Sequence, residues 1–295
     1  MNWEQALGSK AELINTALDL LLPRASAYPS PIHEAMRYST FAGGKRLRGA
    51  FVIAVAEILG TDGERVLPAA AALEMIHTYS LIHDDLPAMD DDDYRRGKPT
   101  CHKVYGEAVA ILAGDALLTL AFGTLSQLSQ KGFEPGVVLR VIQEVGKAAG
   151  SQGLIGGQVV DLDSEGVKVS KETLEYIHNH KTGALFSASV RCGALLSGAG
   201  DEELQALSEY AKGFGLAFQI TDDLLDLTGD QELLGKKPGS DLAKNKATFP
   251  GILGIGEAIK LAEDQVKKCQ LSIARFGPRA DFLRGAANYL LTRKR

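Results

Sequence analysis

Two runs of carboxylates carry the chemistry in this chain. Six aspartates fall within the ten residues Asp84 to Asp93 of LIHDDLPAMDDDDYRRGKPTCH, and Arg95, Arg96 and Lys98 follow at once. Upstream, Val66, Ala70, Leu73, His77, Ser80 and Asp84 recur at alternating four- and three-residue steps. That spacing sets them on one stripe of a helix, so Asp84 continues a face that is apolar lower down. Pro87 disturbs the helix nearby, because proline removes a donor and biases the preceding residue away from helix. Carboxylates crowded at a helix C-terminus meet the negative end of its dipole and need a counter-charge. Oxygen-only ligands favour Mg²⁺ or Mn²⁺ over Zn²⁺ in that role.

The second run is AFQITDDLLDLTGD, where Leu204, Leu207, Ala211, Phe214, Phe218, Asp222 and Leu225 trace another apolar stripe. Asp222 comes about five helical turns after Leu204 and points in nearly the same direction. Asp222 and Asp226 are helix neighbours, where like charges repel. Carboxylates at positions patterned for burial require partners. Two such clusters facing each other across a cavity, with Arg and Lys nearby, describe a site for a diphosphate bridged by Mg²⁺. A solvated acidic surface is the bland alternative for either cluster alone. It accounts poorly for two clusters on inward stripes, one running directly into RRGK.

The elements that must hold these residues are helices. Periodicity predicts them at about 2–22, 31–42, 46–59, 64–86, 104–130, 135–160, 170–198, 201–228, 248–275 and 279–292. Strand signals are nearly absent, and VKV at Val167 to Val169 is too short to count. The proline-free stretch between Pro135 and Pro238 suits long helices. No linker or repeat divides the chain, so the expectation is one all-α domain over residues 1–295, about ten helices surrounding a central pair that carries the aspartates.

Composition narrows the function. With 45% apolar residues the 295-residue chain can bury a large core. A net charge of −5, with basic residues in small groups, gives no support for nucleic-acid binding. The charged start, MNWEQALGSKAELINTALDL, lacks the apolar segment of a secretory signal. No run reaches the eighteen or so apolar residues of a membrane span. Cys101, Cys192 and Cys269 are widely spaced and form no CxxC motif, which suits reduced thiols in a cytoplasmic protein.

At this point the motifs identify a family. HDDLPAMD and DDLLD resemble the two aspartate-rich motifs of the trans-polyprenyl diphosphate synthases, most closely the bacterial farnesyl type. AGGKRLRG, EMIHTYSLIHDDLPAMDDDDYRRGKPTCH, GLIGGQVVDL, HKTGALF, AFQITDDLLD and LGKKPGSDLAKNKATFP follow the family's order across nearly the whole chain. The resemblance implies an isoprenoid-synthase helical bundle, usually a homodimer. In such enzymes an allylic diphosphate ionises, isopentenyl diphosphate attacks the cation, and proton loss gives a longer allylic diphosphate.

By the same resemblance, Asp84 and Asp90 hold two Mg²⁺ ions and Asp222 a third, with Asp85, Asp223 and Asp226 in support. Asp84 and Asp90 are poorly spaced for a straight helix, and the Pro87-Ala88 interruption is expected to bring Asp90 back. Arg95, Lys181, Lys236 and Lys246 would bind the allylic diphosphate; Lys45, Arg48, His77 and Arg96 would hold isopentenyl diphosphate without metal. A satisfied core histidine is the rival reading of His77. Gly183 weakens a long helical stretch, and the resemblance implies a kink there that aims the Thr182 carbonyl at the cation, helped by Gln219. The released diphosphate, not a side chain, would take the proton. The C-terminal TRKR is a candidate to fold over the isopentenyl site.

Product length has a geometric argument. A growing chain should run down the helix that ends at Asp84, and Tyr79 lies about 7.5 Å lower at the helical rise. Its ring, with Ser80 beside it, would floor the pocket, and the resemblance implies that an aromatic here together with the two-residue insertion goes with a fifteen-carbon product; geranylgeranyl synthesis is the alternative. An ordinary core tyrosine is the bland reading. From another class, Glu74-x-x-His77 and Glu175-x-x-His178 match the pairs of di-iron helical bundles. That reading leaves both aspartate clusters unexplained. Asp161 to Glu172 nearly fits a calcium-binding loop, but Glu165 and Lys168 fit poorly, and a polar connection is the better account. GGKR at Gly43 to Arg46 lacks P-loop spacing. An inactive paralogue would have lost part of an acidic motif, and a cyclase usually lacks the Lys45, Arg48 and Arg96 set.

Overall fold

The computed structural model describes residues 2–228 and 246–293. The chain divides between Ile142 and Gln143 into two compact units. Both are built from helices, so the fold is all-α as the periodicity predicts.

In the first unit α1 (Trp3–Leu21), α2 (Ser30–Thr40), α3 (Leu47–Ile58) and α6 (Glu107–Ser126) pack on α4 (Leu67–Asp84). Every residue of α4 from Pro68 to Ile76 is buried, as are Thr78, Tyr79, Ser80 and Ile82. A helix apolar all round belongs at the centre of its unit. α6 packs on α4 and buries Leu117 together with Ala110, Ala113, Gly114 and Ala121, four residues whose small size permits close approach. Against the expectation, the segment 107–131 is long and apolar enough to cross a membrane by length and composition; one side of α6 packs on α4, while Ile111 and Leu112 are exposed.

The second unit begins within α7 (Pro135–Ala149) and continues through α8 (Leu154–Asp163), α9 (Lys171–Ile177), a π turn (His178–Gly183) and α10 (Ala184–Leu196). Then come α11 (Asp201–Thr228), α12 (Phe249–Leu253), α13 (Ile255–Ser272) and α14 (Asp281–Thr292). Leu174, Ile220, Phe249, Ala258 and Ala262 form a buried cluster where α9, α11, α12 and α13 meet. Tyr210 of α11 donates its hydroxyl to the Leu283 carbonyl at 2.7 Å and so ties α14 to α11.

The boundaries differ from expectation where the backbone changes register. The helix foreseen at about 104–130 is split at Gly106 (φ 82°, ψ 159°), and the one at 248–275 at Gly254 (φ 83°, ψ 154°). Only glycine visits that region readily. In each case a five-residue helix, α5 (Cys101–Tyr105) or α12, precedes the break. The stretch 135–160 breaks between Ala149 and Leu154, and 170–198 contains the π turn. A two-stranded hairpin was not foreseen: β1 (Tyr94–Arg95) pairs with β2 (Lys98–Pro99). Its turn residues Arg96 and Gly97 both have positive φ, 54° and 76°, as a tight two-residue hairpin turn requires. All three cysteines are buried and unbridged.

Candidate active site

In the first unit the acidic motif begins where α4 ends. Asp84 is its last residue, and the chain then doubles back, so that the Asp90 N–H donates to the Asp84 carbonyl at 2.8 Å. The Met89 and Asp91 N–H groups both donate to the Leu86 carbonyl, at 2.9 and 3.1 Å. The interruption at Pro87-Ala88 thus returns Asp90 to the helix end. Both Asp84 and Asp90 are half-buried.

Asp85 takes a different course. It is buried, and its Oδ1 accepts from Arg95 Nε at 2.7 Å and lies 2.5 Å from Arg95 Nη2. Burial pushes its carboxyl up, against the opposing pull of Arg95. The Arg95 guanidinium loses by desolvation, yet its bond to Asp85 leaves its pKa raised. Arg95 Nη2 also reaches Asp92 at 3.6 Å. Asp85 is therefore held by a cation of the same motif. The hairpin that carries Arg95 is anchored by Tyr38, whose hydroxyl donates to the Pro99 carbonyl at 2.7 Å.

Basic residues gather beside this corner. Arg46, His77, Thr78, Asp85, Arg95 and Arg96 line one narrow cavity. Arg96 donates to the Gly43 carbonyl, which fastens the hairpin turn to the GGKR segment. Burial lowers Arg48 to about 10. His77 lies well below the ordinary imidazole value, first through desolvation and then through Arg48, Arg96, Arg95 and Arg46. It is therefore neutral at physiological pH, and its guanidinium surroundings repel cations. Lys45 is half-buried in the same segment.

Arg46, which the sequence reading passed over, is the structural member of the group. Its Nε donates to Asn15 Oδ1 at 2.9 Å and its Nη2 to the Thr40 carbonyl at 2.5 Å; Nη1 lies 3.9 Å from Glu74. Glu74 is buried, and its Oε1 accepts the Gly49 N–H at 2.9 Å. A carboxylate from α4 thereby caps the first turn of α3, whose own N-cap residue supplies no side-chain bond. Glu74 is thus committed to backbone and arginine, and His77 faces arginines. That is no iron ligand pair. Lower on α4, Tyr79 is 5% exposed and burial pushes its phenol to about 12. Ser80 is buried and donates to the His77 carbonyl at 3.0 Å.

In the second unit the apolar stripe of α11 holds through Leu207, Ala211 and Phe214, then leaves the core: Phe218 is half-buried and Asp222 exposed. The expectation that Asp222 is buried is corrected. The buried aspartates are Asp223 and Asp226. The reason lies far along the chain, where the Phe249 N–H at the start of α12 donates to Asp223 Oδ2 at 2.9 Å. His178 Nε2 stands 3.7 Å from the same oxygen and stacks on Phe249. Half of the second Glu-x-x-His pair is thereby engaged, and Glu175 pairs with Lys171 at 3.5 Å.

Asp222 has a described neighbour in Arg293. That guanidinium donates from Nη2 to the Phe218 carbonyl at 2.8 Å and Thr221 Oγ1 at 2.9 Å, and reaches Asp222 Oδ1 at 3.4 Å. It also lies over the Phe218 ring, 4.3 Å from the centroid, and burial lowers its pKa. The C-terminal basic segment is thus seated on the α11 motif as far as Arg293.

Lys181 and Thr182 sit on the π turn, both half-buried. The kink expected at Gly183 is this change of helical register. Lys181 Nζ donates to Asp161 Oδ2 of α8 at 2.6 Å, a partner not singled out from the sequence. Gly157 lets α8 come this close to the π turn, because a Cβ there would stand 2.2 Å from the Lys181 backbone nitrogen. Asp161, where the calcium-loop pattern would begin, lies inside α8 and pairs with Lys181. Gln219 is half-buried one turn before Asp222, and Lys246 is half-buried just ahead of α12. Lys236 lies outside the described residues. Among the described residues, no three His, Cys, Asp or Glu side chains gather closely enough to hold a metal ion unaided.

Comparison with known proteins agrees with these motifs. Residues 29–274 match the family model described as polyprenyl synthetase, a span that reaches into both units. The chain is 49% identical over 255 residues to a farnesyl diphosphate synthase of Geobacillus stearothermophilus, covering 86% of each chain. It is 48% identical over 291 residues to the large subunit 1 of a heterodimeric chloroplast geranylgeranyl pyrophosphate synthase of Arabidopsis thaliana, covering 97% of this chain and 78% of that one. A crystal structure of an FPP/GFPP synthase from Zymomonas mobilis aligns with a TM-score of 0.88 at 37% identity, covering 98% of this chain and 99% of that one.

Proposed function

Because the chain belongs to the polyprenyl synthetase family, and is a transferase of the trans-prenyl diphosphate type, we propose that its product is farnesyl diphosphate. It would condense isopentenyl diphosphate with dimethylallyl diphosphate and then with geranyl diphosphate. The observation that carries the fifteen-carbon reading is Tyr79, buried on α4 about 7.5 Å below Asp84 along the helix axis. A ring there closes the direction in which a prenyl chain would lengthen. Relatives named for farnesyl and for geranylgeranyl products stand at similar identity, so geranylgeranyl diphosphate is the second reading.

The donor set suits hard divalent cations, since Asp84, Asp90 and Asp222 offer only carboxylate oxygens. We assign about three Mg²⁺ to them, replaceable by Mn²⁺, with Asp85, Asp223 and Asp226 holding the motif ends. Mg²⁺ takes one or two carboxylates and completes its shell with phosphate and water. When bound, the ions offset charge on the departing diphosphate.

The protein's own groups do the rest. Arg95, Lys181, Lys236 and Lys246 would bind the allylic diphosphate; Lys45, Arg48, His77 and Arg96 would bind isopentenyl diphosphate. Arg48 at a pKa of about 10 stays charged at neutral pH, and neutral His77 can give one N–H to a phosphate oxygen. The allylic C–O bond breaks with its electron pair leaving on the diphosphate. Positive charge on the allyl fragment meets the Thr182 carbonyl and Gln219, dipoles too weakly nucleophilic to trap it. The isopentenyl double bond then forms the new C–C bond, and the released diphosphate takes the proton. Cations fixed where negative charge develops favour the transition state over the ground state.

The same reading makes the chain one synthase domain, cytoplasmic and homodimeric. The deciding experiment incubates the protein with isopentenyl diphosphate, each starter in turn and Mg²⁺, then sizes the product. A fifteen-carbon alcohol after dephosphorylation supports the proposal, and a predominant twenty-carbon alcohol overturns it.

A further inference from the structure

We propose that His83 and Gly114 are positioning residues for product length, acting together to fix the ring of Tyr79. The inference rests on the reading of Tyr79 as the pocket floor and adds what holds that floor in place.

The argument starts on α6. A Cβ built at Gly114 would stand 2.1 Å from His83 Nε2, 2.5 Å from its Cδ2 and 2.9 Å from its Cε1. The imidazole therefore occupies the volume that any side chain at position 114 would need. The same Nε2 lies 3.0 Å from the Ile111 carbonyl oxygen. Facing a carbonyl, that nitrogen must carry the proton and donate. Asp115 Oδ1 stands 4.0 Å from it. The histidine of the HDD motif is thus seated on the α6 backbone.

From there the contact passes one turn down α4. Tyr79 and His83 are four residues apart, and their rings meet edge to face with centroids 5.6 Å apart at 84°. The Tyr79 hydroxyl is buried and has no hydrogen-bond partner among the described residues. No polar bond therefore fixes the ring, and its angle depends on packing. The His83 face is the aromatic part of that packing. Displacing the His83 ring removes the edge-to-face contact on buried Tyr79, and that ring keeps its place only while position 114 lacks a side chain.

The test compares product ratios for Gly114→Ala, His83→Ala, Tyr79→Ala and the double variant Tyr79→Ala/Gly114→Ala. Each is supplied with geranyl diphosphate, excess isopentenyl diphosphate and Mg²⁺, with thermal unfolding recorded alongside. Gly114→Ala and His83→Ala should each raise the ratio of twenty- to fifteen-carbon product severalfold. Tyr79→Ala should raise it further, and the double variant should match Tyr79→Ala alone, because the ring they position is gone. A wild-type ratio in both Gly114→Ala and His83→Ala, alongside a longer product from Tyr79→Ala, sinks this inference and leaves the floor standing. An unchanged product from Tyr79→Ala removes the floor itself. A double variant that lengthens beyond Tyr79→Ala shows that position 114 acts on the pocket directly, which also overturns the relay. Should Gly114→Ala fail to fold, His83→Ala decides alone, since it only removes atoms.

Discussion

Substituting Glu74 tests the capping account directly, and a chelator control separates it from the iron-ligand reading, which also predicts a destabilised Glu74→Ala protein. Its side chain is 3% exposed; one oxygen accepts the Gly49 N–H at 2.9 Å and the other faces Arg46, itself 4% exposed. Glu74→Ala leaves a buried guanidinium without its carboxylate and an α3 N–H without an acceptor. Breaking such a pair by removing one partner costs about 3–5 kcal/mol. Glu74→Gln keeps an amide oxygen for Gly49 and removes only the charge. Arg46 retains Asn15 and the Thr40 carbonyl, so the loss should be about 1–2 kcal/mol. Urea unfolding followed by circular dichroism would give both values. The Tm should fall by roughly 10 °C for the alanine variant, at about 2–4 °C per kcal/mol. If Glu74 were instead an iron ligand paired with His77, a chelator would destabilise the wild type as the substitution does. A Glu74→Ala protein within about 0.5 kcal/mol of wild type, or a glutamine variant as damaged as the alanine one, would refute the capping account.

Three further outcomes are expected. His77 has a folded pKa well below its ordinary 6.5, so as pH falls through 6.5 the unfolded chain takes up a proton that the folded chain refuses. Its contribution is complete above 6.5 and lost below it; from pH 6.5 to 5.5 the wild type should lose about 1 kcal/mol more than His77→Gln, and parallel curves would contradict the neutral ring. Asp84→Ala and Asp222→Ala should each lower kcat by orders of magnitude with little change in Tm; wild-type turnover in either removes that residue from the metal site. Arg293→Ala should lower the Mg²⁺ concentration at half-maximal rate by about threefold, because a half-exposed pair with Asp222 is worth ~0.2–1 kcal/mol. No change, or a higher requirement, would show that Arg293 does not compete with the ion.

Local periodicity is what the sequence makes legible. The start of α11 at Asp201 agrees with expectation because the turn Gly198-Ala199-Gly200 precedes the apolar stripe of Leu204, Leu207 and Ala211. Where a glycine or a π turn changes register inside an otherwise helical pattern, period alone cannot see it, as at Gly106, Gly254 and His178–Gly183. Asp222 was misplaced for a related reason. Burial at the end of α11 is decided by Phe249 and His178, which no stripe on α11 encodes. The return of Asp90 to Asp84 was legible because Pro87 announces it. The partners Asp161 for Lys181, Glu74 for Arg46 and Arg293 for Asp222 were not, since each joins segments distant in the chain.

The aspartate doublets deserve to be read as unlike twins. In Asp84-Asp85 and again in Asp222-Asp223, the first member keeps some access to water while the second is sunk and stapled, once by Arg95 and once by the Phe249 amide. A doublet of this kind is a hook with a barb: one carboxylate does the catching, and the other stops the hook from turning. Turnover lost at either position can therefore have two unrelated origins, an absent ligand or a swivelling one, and only the second would also loosen the end of the helix.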